Sequence, residues 1–128
     1  MSIRTPLAAA RGLGSAKSGT SHFWAQRVSA VALVPLSLWF VGSVVAHVGA
    51  DYESVIAWLS TPVVAVLMIV YLAAIYYHSQ LGLQVVAEDY IHTEWAKMAT
   101  VVVLQFINIL LAVAAIISVL MIVLGAAG

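Results

Sequence analysis

His78-Ser79-Gln80-Leu81-Gly82-Leu83-Gln84-Val85-Val86-Ala87-Glu88-Asp89-Tyr90-Ile91-His92 follows directly on the apolar run from Pro62 to Tyr77. The run is a membrane helix by composition, and the quoted stretch decides whether that helix stops or carries on. It begins with an imidazole among apolar residues and ends in carboxylates, a phenol and a second imidazole. Positions 78, 82, 85 and 89 are i, i+4, i+7 and i+11, so they share one face of a continuing helix. Tyr90 is turned about 120° from His78 at 100° per residue. Ionisable groups in or beside a span are costly and face a partner, a cavity or a cofactor. The stretch therefore predicts a helix that spans a membrane and carries a site on one stripe.

The rest of the chain agrees with a membrane setting. Of 128 residues, 64% are hydrophobic and 8% charged, against roughly a quarter charged in a soluble domain. Val28–Val48 is an uncharged run of 21 residues, and about 20 suffice for a bilayer core. Pro35 inside it is tolerated where neighbouring helices satisfy the freed carbonyl. A third run extends from Met98 to about Leu124. The fold expected is an all-α membrane protein with three transmembrane helices, over about 23–48, 62–89 and 96–125, forming part of a multi-subunit helix bundle. Residues 1–21 read as a polar, irregular or interfacial arm, and 22–128 as a single transmembrane domain. Ser21 is a candidate cap for the first helix. Gly49–Thr61 reads as a short loop, with Thr61 capping a second helix that has Pro62 in its first turn.

Arg4, Arg11, Lys17 and Arg27 precede the first span, the 49–61 loop has no basic residue, and Lys97 precedes the third span. The positive-inside rule then puts the N-terminus and the 87–97 segment in the cytoplasm and the C-terminus in the periplasm. Residues 1–22 lack the apolar core of a cleavable signal. The same leader is basic and free of acids, which also suits an organelle transit peptide. So few basic residues exclude nucleic acid as a partner. The absence of cysteine excludes disulfides, iron–sulfur ligation and thiolate zinc sites.

Each candidate has a bland and a chemical reading. His78 lies 16 residues past Pro62, about 24 Å along the axis. It is either a helix–helix hydrogen bond, a haem ligand, a proton relay or a metal ligand. Neutral imidazole suits haem iron, and Gly82 one turn on leaves room for a flat macrocycle, which favours haem over a point metal. His47 is near the far end of its span, so a second axial ligand has to come from another subunit. Asp89 and Tyr90 are ordinary at a helix end. Alternatively, the phenol donates to a quinone carbonyl and the acid moves protons. Arg27, with His22 and Trp24, reads as headgroup contact or as a cation for a buried anion such as a haem propionate. His92 and Glu94 read as loop residues. Gln105 and Asn108 are i, i+3 and suit hydrogen bonds to a neighbouring helix.

The pattern His78-x3-Gly82-x6-Asp89-Tyr90 resembles the second transmembrane helix of the small hydrophobic anchor subunit of succinate dehydrogenase, respiratory complex II. The run Leu13-Gly14-Ser15-Ala16-Lys17-Ser18-Gly19-Thr20, then His22-Phe23-Trp24 and Gln26-Arg27, looks like the leader and first-helix start of bacterial members. The resemblance implies that His78 is an axial ligand of haem b, shared with the larger cytochrome b subunit. It implies that Tyr90 binds ubiquinone, that Asp89 beside it delivers protons, and that Arg27 lies near the haem propionates and quinone. His22 falls where some members have a histidine. The resemblance further implies a subunit without catalysis of its own, held in the bacterial inner membrane with a flavoprotein and an iron–sulfur subunit. That assembly serves the tricarboxylic acid cycle and aerobic electron transport. A fumarate reductase anchor, and a small transporter or proton-channel subunit using His78, Asp89 and His92 as a relay, are the alternatives.

Overall fold

Pro62 opens the central helix because a first-turn position needs no amide hydrogen and the ring presets the helical φ. In the computed structural model, which describes residues 6–10 and 19–126, this helix is the fourth of five. They are α1 (Pro6–Ala10), α2 (Gly19–Ala46), α3 (Tyr52–Ser60), α4 (Pro62–Tyr90) and α5 (Glu94–Ala126). There is no strand among the described residues. α2, α4 and α5 are long and apolar enough to cross a membrane. The all-α, three-span expectation holds. At 1.5 Å per residue the 28 residues of α2 and 29 of α4 reach about 42 and 44 Å. That exceeds the roughly 30 Å hydrocarbon core, so their ends stand in the headgroup layers or the helices tilt.

Two local expectations, on Ser21 and on the 49–61 segment, need correction. α2 begins at Gly19, so Ser21 lies inside the helix and does not cap it. The arm, read as irregular or interfacial, contains α1, while Arg4, Arg11, Lys17 and the run 13–18 lie outside the described residues. The 49–61 segment, read as a loop, contains α3. Its cause is a cap: Asp51 Oδ1 accepts a hydrogen bond from the Ser54 amide at 2.8 Å, and Val55, Ile56, Trp58 and Leu59 are half-buried. Gly49 makes the preceding turn at φ +81°, a backbone conformation open to glycine. Thr61 stands at the N-cap of α4 as expected, but its side chain makes no cap bond. Its hydroxyl instead donates to the Ala57 carbonyl at 3.3 Å.

Hydrogen bonds from Ser54, through its side chain first and its amide second, lower the Asp51 carboxyl below its ordinary value. A lowered folded-state pKa gives stability that is complete above the unfolded value and lost as pH falls through the lowered one. Protection of the Ser54 amide, taken relative to its intrinsic exchange rate at the same pH, is therefore expected to fall in acid, and to fall at neutral pH in Asp51→Ala. Equal exchange in the variant and the native chain at neutral pH would rule out the cap.

Packing is concentrated in the half of the bundle near α3. Ala65, Met68 and Tyr71 of α4 and Val119 of α5 are buried together, with Leu33, Leu36, Trp39 and Phe40 of α2 packed on them. The Phe40 and Tyr71 rings stack at 5.0 Å, Trp39 and Trp58 lie 6.3 Å apart, and His47 lies 4.5 Å from Trp58. Such aromatic pairs contribute roughly 0.5–1.5 kcal/mol each beyond area burial. The other half is joined by polar bonds. Asn108 Nδ2 of α5 donates to Gln80 Oε1 of α4 at 3.2 Å, as expected for Asn108; Gln105 makes no such bond. Hydrogen bonds of this kind between spans are worth about 0.6 kcal/mol on average. Only 6–17% of each span's most apolar window is buried within the chain. The bilayer or other helices must therefore cover most of the apolar surface.

Candidate functional site

α4 runs unbroken through the whole quoted stretch to Tyr90, so His78, Gly82, Val85 and Asp89 do share one stripe. α2 packs antiparallel against this half of α4. There Ser29 Oγ lies 2.9 Å from His78 Nδ1, and Ser29 is buried at 8% exposure. The same Oγ lies 3.0 Å from the Gln26 carbonyl, to which it donates. A serine hydroxyl has one proton. Both bonds exist together only if Nδ1 carries hydrogen and donates to Oγ. In the neutral ring Nε2 is then the nitrogen with the lone pair, and it has no partner among the described residues. The bland reading of His78, a helix–helix hydrogen bond, is thus realised, but it occupies only one ring nitrogen.

The surroundings suit a flat group more than a metal cage. A Cβ built on Gly82 meets nothing within 4 Å. A shallow groove of about 650 Å³ beside Ser29 is lined by Trp24, Ala25, Val28, Ala32, Ala73, Ala74 and Tyr77, and neither His78 nor Gly82 is among its lining residues. Among the described residues no three His, Cys, Asp or Glu side chains converge. His78 therefore offers a single imidazole donor, with Nε2 unengaged among the described residues and Ser29 on Nδ1. This donor set fits one axial position of a haem. His47 does not supply the other. It is 18 residues along α2 from Ser29, about 27 Å, and its Nδ1 donates to the Ser43 carbonyl at 2.8 Å.

The polar end of α4 is more dispersed. A cleft of about 390 Å³ between α2 and α4 is lined by His22, Gln26, Gln84 and Glu88, among others. Gln84 Nε2 donates to Glu88 Oε1 at 2.8 Å across one helical turn. Arg27 does not enter this cleft; its guanidinium sits 4.6 Å above the Phe23 ring. Asp89 and Tyr90, the last two residues of α4, are exposed and make no side-chain hydrogen bond among the described residues; Tyr90 is 81% exposed. Glu94 pairs with Lys97 at 3.0 Å, and His92 is exposed in the turn between α4 and α5. The fold therefore joins His78 to Ser29 and sets His22 and Glu88 at one cleft. It places Arg27, Asp89 and Tyr90 at the same end of the bundle without bringing them together.

Two features escaped the sequence reading. Ser29 is a small residue in an apolar span, and nothing in linear order links it to a histidine 49 positions away. The Gln84–Glu88 pair was legible from its i, i+4 spacing, which its position beside Asp89 and Tyr90 obscured.

Comparison with known proteins adds the following. The family model described as succinate dehydrogenase/fumarate reductase transmembrane subunit matches residues 1–124. The succinate dehydrogenase hydrophobic membrane anchor subunit of Rickettsia bellii is 34% identical over 117 residues, covering 91% of this chain and 94% of the relative. The subunit of the same name from Paracoccus denitrificans is 35% identical over 97 residues, covering 76% and 75%. The succinate dehydrogenase membrane anchor subunit of Reclinomonas americana is 24% identical over 96 residues, covering 73% and 80%. No solved structure gives a significant match.

Proposed function

Because the chain belongs to the succinate dehydrogenase/fumarate reductase transmembrane subunit family, we propose that it is the hydrophobic membrane anchor of a succinate:quinone oxidoreductase. It has no catalytic activity alone. Its partners are a flavoprotein, an iron–sulfur subunit and a larger cytochrome b subunit, whose helices cover the apolar faces that this chain leaves exposed. The assembly lies in the bacterial inner membrane and serves the tricarboxylic acid cycle and aerobic electron transport. Residues 1–21 form an arm on the cytoplasmic face and 22–128 a single transmembrane domain. Arg27 and Lys97 lie at one end of the bundle, which supports a cytoplasmic N-terminus and a periplasmic C-terminus.

The observation that carries the site reading is the His78 imidazole, fixed through Nδ1 with Nε2 unengaged. His78 would hold haem b from this chain, and the cytochrome b subunit would supply the iron's other ligand. When bound, haem b supplies a one-electron store beside the quinone site. Ser29 fixes the imidazole ring, and the helices around it exclude water. Tyr90 lies 12 residues beyond His78, about 18 Å along α4. Its hydroxyl donates a hydrogen bond to a carbonyl oxygen of ubiquinone at the cytoplasmic edge of the bilayer. Asp89, whose carboxylate has no hydrogen-bond partner among the described residues, delivers protons from the cytoplasmic side. Arg27 supplies a cation near the haem propionates and the quinone.

The test is fractionation. In cells lacking this chain, succinate oxidation by an artificial dye is expected to move from the membranes to the soluble fraction. The tagged chain should copurify with flavin and iron–sulfur subunits. Dye activity that stays on the membranes, with a tagged chain that brings down neither subunit, would refute the anchor role. A pH-gated current in vesicles holding the chain alone would favour the relay alternative.

A further inference from the structure

We propose that Ser29 is the positioning residue for His78, acting on the haem iron through the Nδ1–H···Oγ bond; this rests on the reading of His78 as the axial ligand. Three observations carry it. Ser29 is buried at 8% exposure, although a serine in a span needs no burial for packing alone. Its one proton is committed to the Gln26 carbonyl at 3.0 Å, so towards His78 the oxygen acts as an acceptor at 2.9 Å. Among the described residues His78 makes no other side-chain hydrogen bond.

The consequence is both geometric and electronic. Metal-bound histidines hand their second ring N–H to an acceptor, which fixes the ring plane and makes the bound nitrogen a stronger donor. A carboxylate acceptor would push hardest. A serine oxygen that is itself polarised by donating to a backbone carbonyl is a neutral, moderate acceptor of fixed position. The bond also crosses from α2 to α4, so it ties the ring to the helix that carries Arg27 two residues earlier. A stronger donor nitrogen favours ferric over ferrous iron. Removing the acceptor therefore weakens ferric binding more than ferrous and raises the reduction potential. Loss of such partners typically costs about 10–100-fold in metal affinity. A tenfold differential loss from the ferric state is an upward shift of about 59 mV for a one-electron couple.

The experiment uses the complete purified complex in four forms: native, Ser29→Ala, Ser29→Cys and Ser29→Thr. The haem-to-flavin ratio, the electron paramagnetic resonance of the ferric low-spin haem and a redox titration are recorded for each. Ser29→Ala is expected to keep a b-type haem with altered g-values and a raised potential. Ser29→Cys keeps the volume but offers a weak acceptor, so it is expected to shift the same way even if the alanine variant does not assemble. Ser29→Thr, which retains the hydroxyl, is expected to restore the native potential. Native g-values and potential in the alanine or cysteine variant would overturn the inference, as would a threonine variant displaced as far as the cysteine one. If the native complex holds no b-type haem, or if His78→Ala leaves its spectrum intact, the ligand reading fails, and the role of Ser29 with it. A failure of Ser29 alone leaves the His78→Ala result unchanged, so the two are separable.

Discussion

His78→Ala in the purified complex is expected to abolish the low-spin b-type haem signal and to reduce haem content by at least about tenfold, since loss of a ligand's orienting partner alone costs about 10–100-fold. The expectation follows from how few ligands this chain offers. Among the described residues no cluster of His, Cys, Asp or Glu stands ready to substitute, and His47 is engaged with the Ser43 carbonyl at the other end of α2. The cavity left by the imidazole lies in the half of the bundle that depends on polar bonds. The same variant leaves Ser29 without its interhelical partner, although Ser29 still donates to the Gln26 carbonyl. The aromatic core around Tyr71 and Phe40 is untouched. Assembly should therefore persist while the spectrum is lost. A pyridine haemochrome spectrum and the low-spin resonance measure both outcomes, and an intact signal would remove His78 from the ligand set.

The three spans were legible because they depend on run length and on the absence of charge, which linear order records. The stripe of His78, Gly82 and Asp89 was legible for a related reason: helical periodicity is a local rule, and α4 obeys it to Tyr90. α3 was hidden because 49–61 mixes turn residues with apolar ones. Its helix rests on one capping bond from Asp51 and on Trp58 packing with Trp39 of α2 and with His47 in the turn after α2. Ser29 was hidden for the same kind of reason. Its chemistry is a contact over 49 residues, and on its own helix it is simply a small residue. Arg27 shows the limit from the other side. Its position near the foot of α2, at the bundle end that also carries Asp89 and Tyr90, was readable from the order of the spans. Which group its side chain would meet was not readable, and in the folded chain it lies over Phe23.

Tyr90→Phe is expected to lower ubiquinone reduction by roughly 10–100-fold while succinate oxidation by an artificial dye is preserved. The magnitude comes from the bond removed. As quinone is reduced, its carbonyl oxygen gains negative charge, and hydrogen bonds to charged groups are worth about 1.5–3 kcal/mol, or one to two factors of ten in rate. Position makes the test clean. Tyr90 ends α4, is 81% exposed, and its hydroxyl makes no hydrogen bond among the described residues, so its loss leaves their packing unchanged. Surface changes of this kind stay within about 0.5 kcal/mol. A fall in quinone reduction therefore reports a missing donor and not a loosened bundle. An equal fall with dye and quinone would instead mean that the soluble subunits no longer dock, and would sink the quinone role. The neighbouring acid separates the two steps. Asp89→Asn keeps the shape and a hydrogen-bonding group but cannot carry a proton, so its defect should deepen as pH rises and fewer protons arrive from bulk water. Tyr90→Phe, which removes a donor to the oxygen but leaves the proton carrier in place, should be impaired by the same factor across that range.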